Sequence, residues 1–227
     1  MENNDLIIRL NPTLGYVKVE TENGGVISHK EITNEALTQC LLGSLRRPAF
    51  FSGLLPEGCI SFYASDDDSR IVGILHPMRR ANISYHNTVY QDFPLPRLVF
   101  KFTLRQGLRV QTVDVGVVEE GRLKPDSKMF LWPFSNVRGF HMCIGSNVMP
   151  KCESLHTLSS LPYHILEIPN NNDHYETQNN KQQMEYRELL EHLKNKEPAY
   201  YYESVLVPGG SALKDFIGVT DGRNLYD

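Results

Sequence analysis

The chain has 227 residues, enough for one sizeable hydrophobic core or for one domain with a small appendage. Its 41% hydrophobic and 22% charged content are those of an ordinary globular protein. A net charge of -4 gives no electrostatic reason to expect nucleic acid or a membrane surface as partner, and no apolar run is long enough to span a bilayer.

The start, Met1-Glu2-Asn3-Asn4-Asp5, is acidic and lacks the basic-then-apolar layout of a secretory signal, so a cytoplasmic location is expected. Residues 5–32 read as short strands. Leu6 to Leu10 is apolar, Asn11-Pro12-Thr13 breaks it, Tyr16 to Glu20 alternates, and Asn23-Gly24-Gly25 signals a turn before Val26 to His29. Thr33 is a good N-cap for a helix carrying Leu37, Cys40, Leu41 and Leu45 on one side, and Arg46-Arg47-Pro48 ends it. Cys40 is therefore expected in a core.

Leu55-Pro56-Glu57-Gly58 reads as a turn, followed by strands over Cys59 to Tyr63 and Ile71 to Leu75. Asp66-Asp67-Asp68 between them lacks the Gly and Glu of a calcium loop and reads as a solvated turn. Leu98 to Phe102 and Leu108 to Val113 form a hairpin around Arg105-Gln106-Gly107, and Glu119 to Arg122 is a further turn. The stretch from Met129 to Ile144 shows no regular pattern, and long irregular segments in compact domains are commonly functional. Leu155 to Ile168 is apolar and partly helical in pattern, and residues 169–173 form a polar break. Residues 178–196 carry the clearest helical pattern, with Tyr186, Leu189, Leu190 and Leu193 on one face. Ser204 to Val207 reads as a strand. The fold class is α+β, with antiparallel strands in the middle and helices toward the ends.

Four cysteines, Cys40, Cys59, Cys143 and Cys152, are expected as free thiols rather than a disulfide framework. Cys143 is the best nucleophile candidate. It follows Pro133-Phe134-Ser135-Asn136-Val137 and a glycine-containing turn, so a loop starting at Asn136 can bring an amide to an oxyanion formed at the thiol. Asn136 is equally suited to a plain turn. His141 stands two residues before Cys143, and on an extended backbone both side chains share a face. It can polarise the thiol or be simply an exposed loop histidine. A rival arrangement is a zinc site from His141, Cys143, Cys152 and His156, whose nitrogen and sulfur donors zinc accepts, although no tight cysteine knuckle is present.

The chain resembles the bacterial branch of the ubiquitin-conjugating enzyme superfamily, specifically the PRTRC system protein B family. The resemblance runs from Tyr16 to about His174. It is carried by Leu55-Pro56-Glu57-Gly58, by Pro94-Leu95-Pro96-Arg97-Leu98-Val99-Phe100, and by Pro133 to Val137 leading to Met142-Cys143-Ile144-Gly145. It implies a UBC-like antiparallel meander flanked by helices over 51–227, extended by a strand-and-helix segment over 1–50. It further implies that Cys143 accepts a ubiquitin-like protein as a thioester, that Asn136 supports the oxyanion, and that a downstream histidine contributes. His156, His164 and His174 compete for that place, and His164 is preferred. The implied partners are a ubiquitin-like protein, a ThiF-type adenylating enzyme and a JAB-type metallopeptidase, with no metal or organic cofactor in this subunit. Plasmid maintenance and antiviral defence are the two settings that the resemblance implies for such a cassette. Phe134 and Ser135 stand where eukaryotic relatives have His and Pro before the Asn, and the loop to Cys143 is about one residue short. The alternative function is a non-catalytic or zinc-stabilised binding module of the same fold.

Overall fold

Along Leu98–Arg105 every second side chain, Leu98, Phe100, Phe102 and Leu104, is fully buried, while Lys101 and Thr103 between them are half-buried. Period-two burial of this kind makes a strand with one face on a core, each fully buried Leu or Phe contributing about 1.5–3 kcal/mol. This computed structural model describes residues 6–10, 13, 15–23, 25–44, 51–64, 69–105, 107–145, 147 and 149–218. Its contacts fall into two units, Met1–Phe51 and Ser52–Asp227.

In the first unit, β1 (Leu6–Arg9), β2 (Tyr16–Asn23) and β3 (Val26–Thr33) form an antiparallel sheet in that order. Gly25 sits at φ 80°, the conformation that the Asn-Gly-Gly turn supplies. α1 (Asn34–Ser44) starts where the Thr33 hydroxyl accepts the Ala36 amide at 3.1 Å. Cys40 is exposed rather than in a core, and Leu41 on the same stripe is exposed too. The helix end expected at Arg46-Arg47-Pro48 and the turn at Asp66-Asp67-Asp68 lie outside the described residues.

The second unit is built on β4 (Cys59–Ala64), β5 (Arg70–His76), β8 (Leu98–Arg105) and β9 (Arg109–Val118), all antiparallel neighbours. β6 (Arg79–Tyr85) and β7 (Thr88–Leu95) form a separate hairpin between β5 and β8. Nothing in the sequence pattern announced it, because its turn residue His86 takes φ 49° without a glycine and Asp92 at φ 50° interrupts the alternation. β10 (Lys128–Phe130) joins β9 to β13 (Pro208–Ala212). The expected irregular stretch after β10 contains two more short strands, β11 (Val137–Arg138) and β12 (His141–Met142), with β12 paired to β9. The fold class is α+β with an antiparallel sheet of eight strands.

One face of the sheet packs under α2 (Leu161–Glu167), α3 (Tyr186–Leu193) and α4 (Tyr200–Ser204), with Val113, Val115, Val117, Phe134, Leu158, Leu190 and Tyr201 in a single core. The opposite face carries a smaller cluster in which Val99, Val118 and Met129 meet Leu213 and Phe216 of α5 (Leu213–Ile217). Two helical expectations need correction. The helix expected over 178–196 begins only at Tyr186, because Gln183 takes φ 52° and the buried Asn180 side chain ties Tyr175, Thr177 and Met184 into a capped turn. Its predicted apolar face, Tyr186, Leu189, Leu190 and Leu193, is the buried one. The strand expected over Ser204 to Val207 is instead the end of α4 and a single bridge from Leu206 to Asn180, because burial of Tyr201 and its hydroxyl bond to Pro94 (2.9 Å) override local β preference. Among the described residues, no helix is long and apolar enough to cross a membrane.

Candidate functional site

Cys143 lies at the root of the β11–β12 hairpin. Val137 pairs with Met142 and Arg138 with His141, and the ladder extends one step further as the Cys143 amide donates to the Asn136 carbonyl at 2.7 Å. Asn136 and Cys143 therefore face each other across the hairpin. The sequence motif placed this pair together; the two short strands make the placement geometric.

Both ends of the hairpin are fixed. At the tip, the Phe140 ring lies over Gly116 and Gly209, where an added Cβ would come within 2.9 Å and 2.6 Å of it. That ring also meets Phe216 edge-on at 5.2 Å. A side chain at Gly116 or Gly209 would lift the tip. At the root, Asn136 has φ 62°, a left-handed conformation that Asn tolerates better than most residues. Its backbone amide donates to the Asp173 carbonyl at 2.7 Å, and its side-chain Nδ2 donates to Asn170 Oδ1 at 3.1 Å. Asn170 is itself held: its amide donates to the Ser84 carbonyl at 2.8 Å, and its carbonyl accepts the His86 amide at 2.8 Å. Asn170 Nδ2 donates to Ser84 O at 3.1 Å, with Ile168 O at 3.5 Å.

These bonds settle which way the amides point. Two main-chain carbonyls face one end of the Asn170 side chain, so that end is the NH₂ and its oxygen faces Asn136. Asn136 must then present its own NH₂ to Asn170, which uses one N–H and leaves the second for another acceptor. The Asn is a turn former by backbone and a fixed amide by side chain at once.

The four thiols differ. Cys143 and Cys40 are exposed, Cys59 is half-buried and Cys152 is buried. Burial pushes the Cys59 and Cys152 thiols up from their ordinary value. A thiol held protonated in this way is a poor nucleophile, which leaves Cys143 as the accessible thiol of the second unit.

His164 sits on the exposed side of α2, whose buried residues are Leu161, Pro162, Ile165 and Leu166. It takes no part in the hydrogen bonds that join Asn136, Asn170 and Asp173. His156 approaches the Leu55 carbonyl at 3.5 Å, and His174 is exposed at φ 55° just after Asp173. Among the described residues no three His, Cys, Asp or Glu side chains gather as a metal ion would need, so the zinc arrangement of His141, Cys143, Cys152 and His156 does not form. Instead His141 Nδ1 meets Asp114 Oδ1 at 3.1 Å, and Asp114 Oδ2 meets Lys101 Nζ at 3.0 Å.

The run 169–173 reads as a polar break in the sequence, yet Asn170 and Asp173 are the residues that hold Asn136. The signal is the density of that run: four Asn and Asp residues in a row exceed what one turn needs. Asp114 is likewise not announced, although a lone acid at an outward position among Val113 and Val115 is unusual in a strand.

No curated protein and no solved structure matches the chain. A family model, described as prokaryotic E2 family D, matches residues 52–209, which include the whole hairpin, Asn136, Cys143 and the Asn170 to Asp173 run. With more than half of its length matched, the chain belongs to prokaryotic E2 family D.

Proposed function

We propose that this protein is a conjugating enzyme with a UBC-like fold, which accepts a ubiquitin-like protein as a thioester on Cys143 and passes it to an acceptor. The observation that carries this reading is the exposed thiol directly opposite a fixed asparagine, on a hairpin pinned at both ends, in a chain of a prokaryotic E2 family. Family membership supports a ubiquitin-like protein and an adenylating enzyme, here of the ThiF type, as partners. A PRTRC-type cassette, a JAB-type metallopeptidase and a role in antiviral defence rest on the sequence resemblance.

In the first step the Cys143 thiolate attacks the carrier's thioester carbonyl. The new C–S bond forms as the donor's C–S bond breaks, and the donor leaves as a thiolate that takes up a proton. In the second step an acceptor amine attacks the Cys143 thioester, loses a proton as the amide forms, and releases the Cys143 thiolate. Both steps pass through an oxyanion. The Asn136 N–H that is not given to Asn170 is the group suited to stabilise it, a contribution of about 10²–10³ in rate for one such donor. The role of His164 rests on the resemblance alone.

The test is incubation of the full chain with its cognate ubiquitin-like protein, adenylating enzyme and ATP. The expected product is a covalent adduct that reducing thiol removes and that Cys143→Ala abolishes. An adduct that persists in Cys143→Ala overturns the assignment.

A further inference from the structure

Cys143 does not stand alone on its face of the sheet. Met142 points into the main core, so its neighbours His141 and Cys143 point to the other side. β9 alternates in the same sense: Val113 and Val115 enter the core, and Asp114 lies outward, opposite His141 in register. Lys101 of β8 pairs with Asp114 in register and also faces outward. Residues two apart on a strand are separated by about 6.6 Å, within the reach of an imidazole directly or through one water.

We infer that His141, oriented by Asp114, is the proton carrier for Cys143 and for the acceptor amine. This rests on the reading of Cys143 as the transfer thiol. Asp114 accepts from Nδ1, so the neutral ring carries its proton on Nδ1 and leaves Nε2 with a lone pair. Lys101 occupies the other carboxylate oxygen at 3.0 Å and holds Asp114 in place. The charged groups around His141 are Asp114, Lys101 and, across the hairpin, Arg138. From α5 the neighbouring side chain is the uncharged Phe216 ring, over which Lys101 sits at 5.3 Å.

The chemistry balances without a further reactant. His141 Nε2 takes the thiol proton and leaves a thiolate beside an imidazolium; the thiolate attacks the carrier thioester, and the departing donor thiolate takes that proton back. In the second step Nε2 takes a proton from the attacking amine and returns it to Cys143 as its C–S bond breaks. His141 is the catalytic base, and Asp114 is a positioning residue.

The test follows alkylation of Cys143 by iodoacetamide across about pH 5 to 9, read by peptide mass in a Cys40→Ser background that removes the other exposed thiol. It needs neither carrier nor adenylating enzyme, so it can fail while the adduct forms, and succeed while the adduct does not. The parent chain is expected to alkylate at Cys143 faster at pH 7 than the same thiol does in the unfolded chain. His141→Asn should slow that alkylation severalfold. Asp114→Asn should give a smaller loss. A His141→Asn profile that superimposes on the parent overturns the inference. Nitrogen-15 spectra of the unsubstituted chain give a second reading: neutral His141 as the Nδ1–H tautomer supports it, and as the Nε2–H tautomer contradicts it.

Discussion

The two faces of the central sheet are made by the same strands and do opposite work. On β8 and β9, Phe100, Phe102, Val113 and Val115 face a core sealed by α2, α3 and α4 and are fully buried. One residue along each strand, Lys101 and Asp114 face the other way, in line with His141 and Cys143. α5 covers the end of that face nearest Met129 and Val118, while Cys143 remains exposed. Period-two alternation thus lets one hairpin be packed and chemically available at once. The buried face fixes where the hairpin sits, and the open face leaves the thiol accessible.

Four substitutions break or sharpen that contrast, and the largest effect belongs to the packed face. Leu190 is fully buried on α3, so Leu190→Ala should lower unfolding free energy by about 2–5 kcal/mol in urea titrations. Next is the amide at the hairpin root. Asn136→Gly preserves the left-handed backbone at φ 62° but removes the side chain. Transfer to an acceptor amine should fall by about 10²–10³, while loss of the bond to Asn170 costs only about 0.5–1.5 kcal/mol of stability. Full transfer activity in this variant would reduce Asn136 to a turn former.

The third concerns His76, on the core side of β5, packed edge-on against Phe100 and Tyr163. Burial, and then the Arg79 guanidinium, lower its imidazole to about 4. In the unfolded chain it titrates near about 6.5. As pH falls through that window the unfolded chain binds the proton first. The contribution is therefore complete above about 6.5 and is lost progressively toward about 4, by up to about 3 kcal/mol. The urea midpoint should drop between pH 7 and 5 more steeply in the parent than in His76→Phe; equal slopes would refute the burial argument. The smallest effect lies on the open face, where the His141 side chain is 61% exposed. His141→Asn should change stability by less than about 0.5 kcal/mol while altering Cys143 reactivity.

Much of this was legible in the sequence where local pattern and tertiary fate agree. Leu98 to Phe102, the Asn23-Gly24-Gly25 turn, the Thr33 cap and the apolar face of α3 were readable because period, turn chemistry and burial point the same way. The β6–β7 hairpin was not, since its turn residue His86 and, within β7, Asp92 take positive φ without a glycine to signal it. Asn180 shortened α3 through side-chain bonds to residues on either side, a choice that periodicity does not encode. At the candidate site, the closeness of Asn136 to Cys143 was readable from their spacing. The parts of Asn170, Asp173 and Asp114 were not, because each acts through a partner brought near by pairing of distant segments. The family resemblance points to His164, downstream of the thiol, whereas register places His141 on the thiol's face of the sheet.

The central claim is that Cys143 carries the ubiquitin-like protein, and the most direct measurement is the mass and chemistry of the adduct in Cys143→Ser. With the cognate carrier, adenylating enzyme and ATP, the parent should form an adduct that thiol cleaves. Cys143→Ser should form an ester of matching mass that survives thiol and yields to alkali. A thiol-labile adduct persisting in Cys143→Ser, or no adduct on the parent with a charged adenylating enzyme present, would contradict the account.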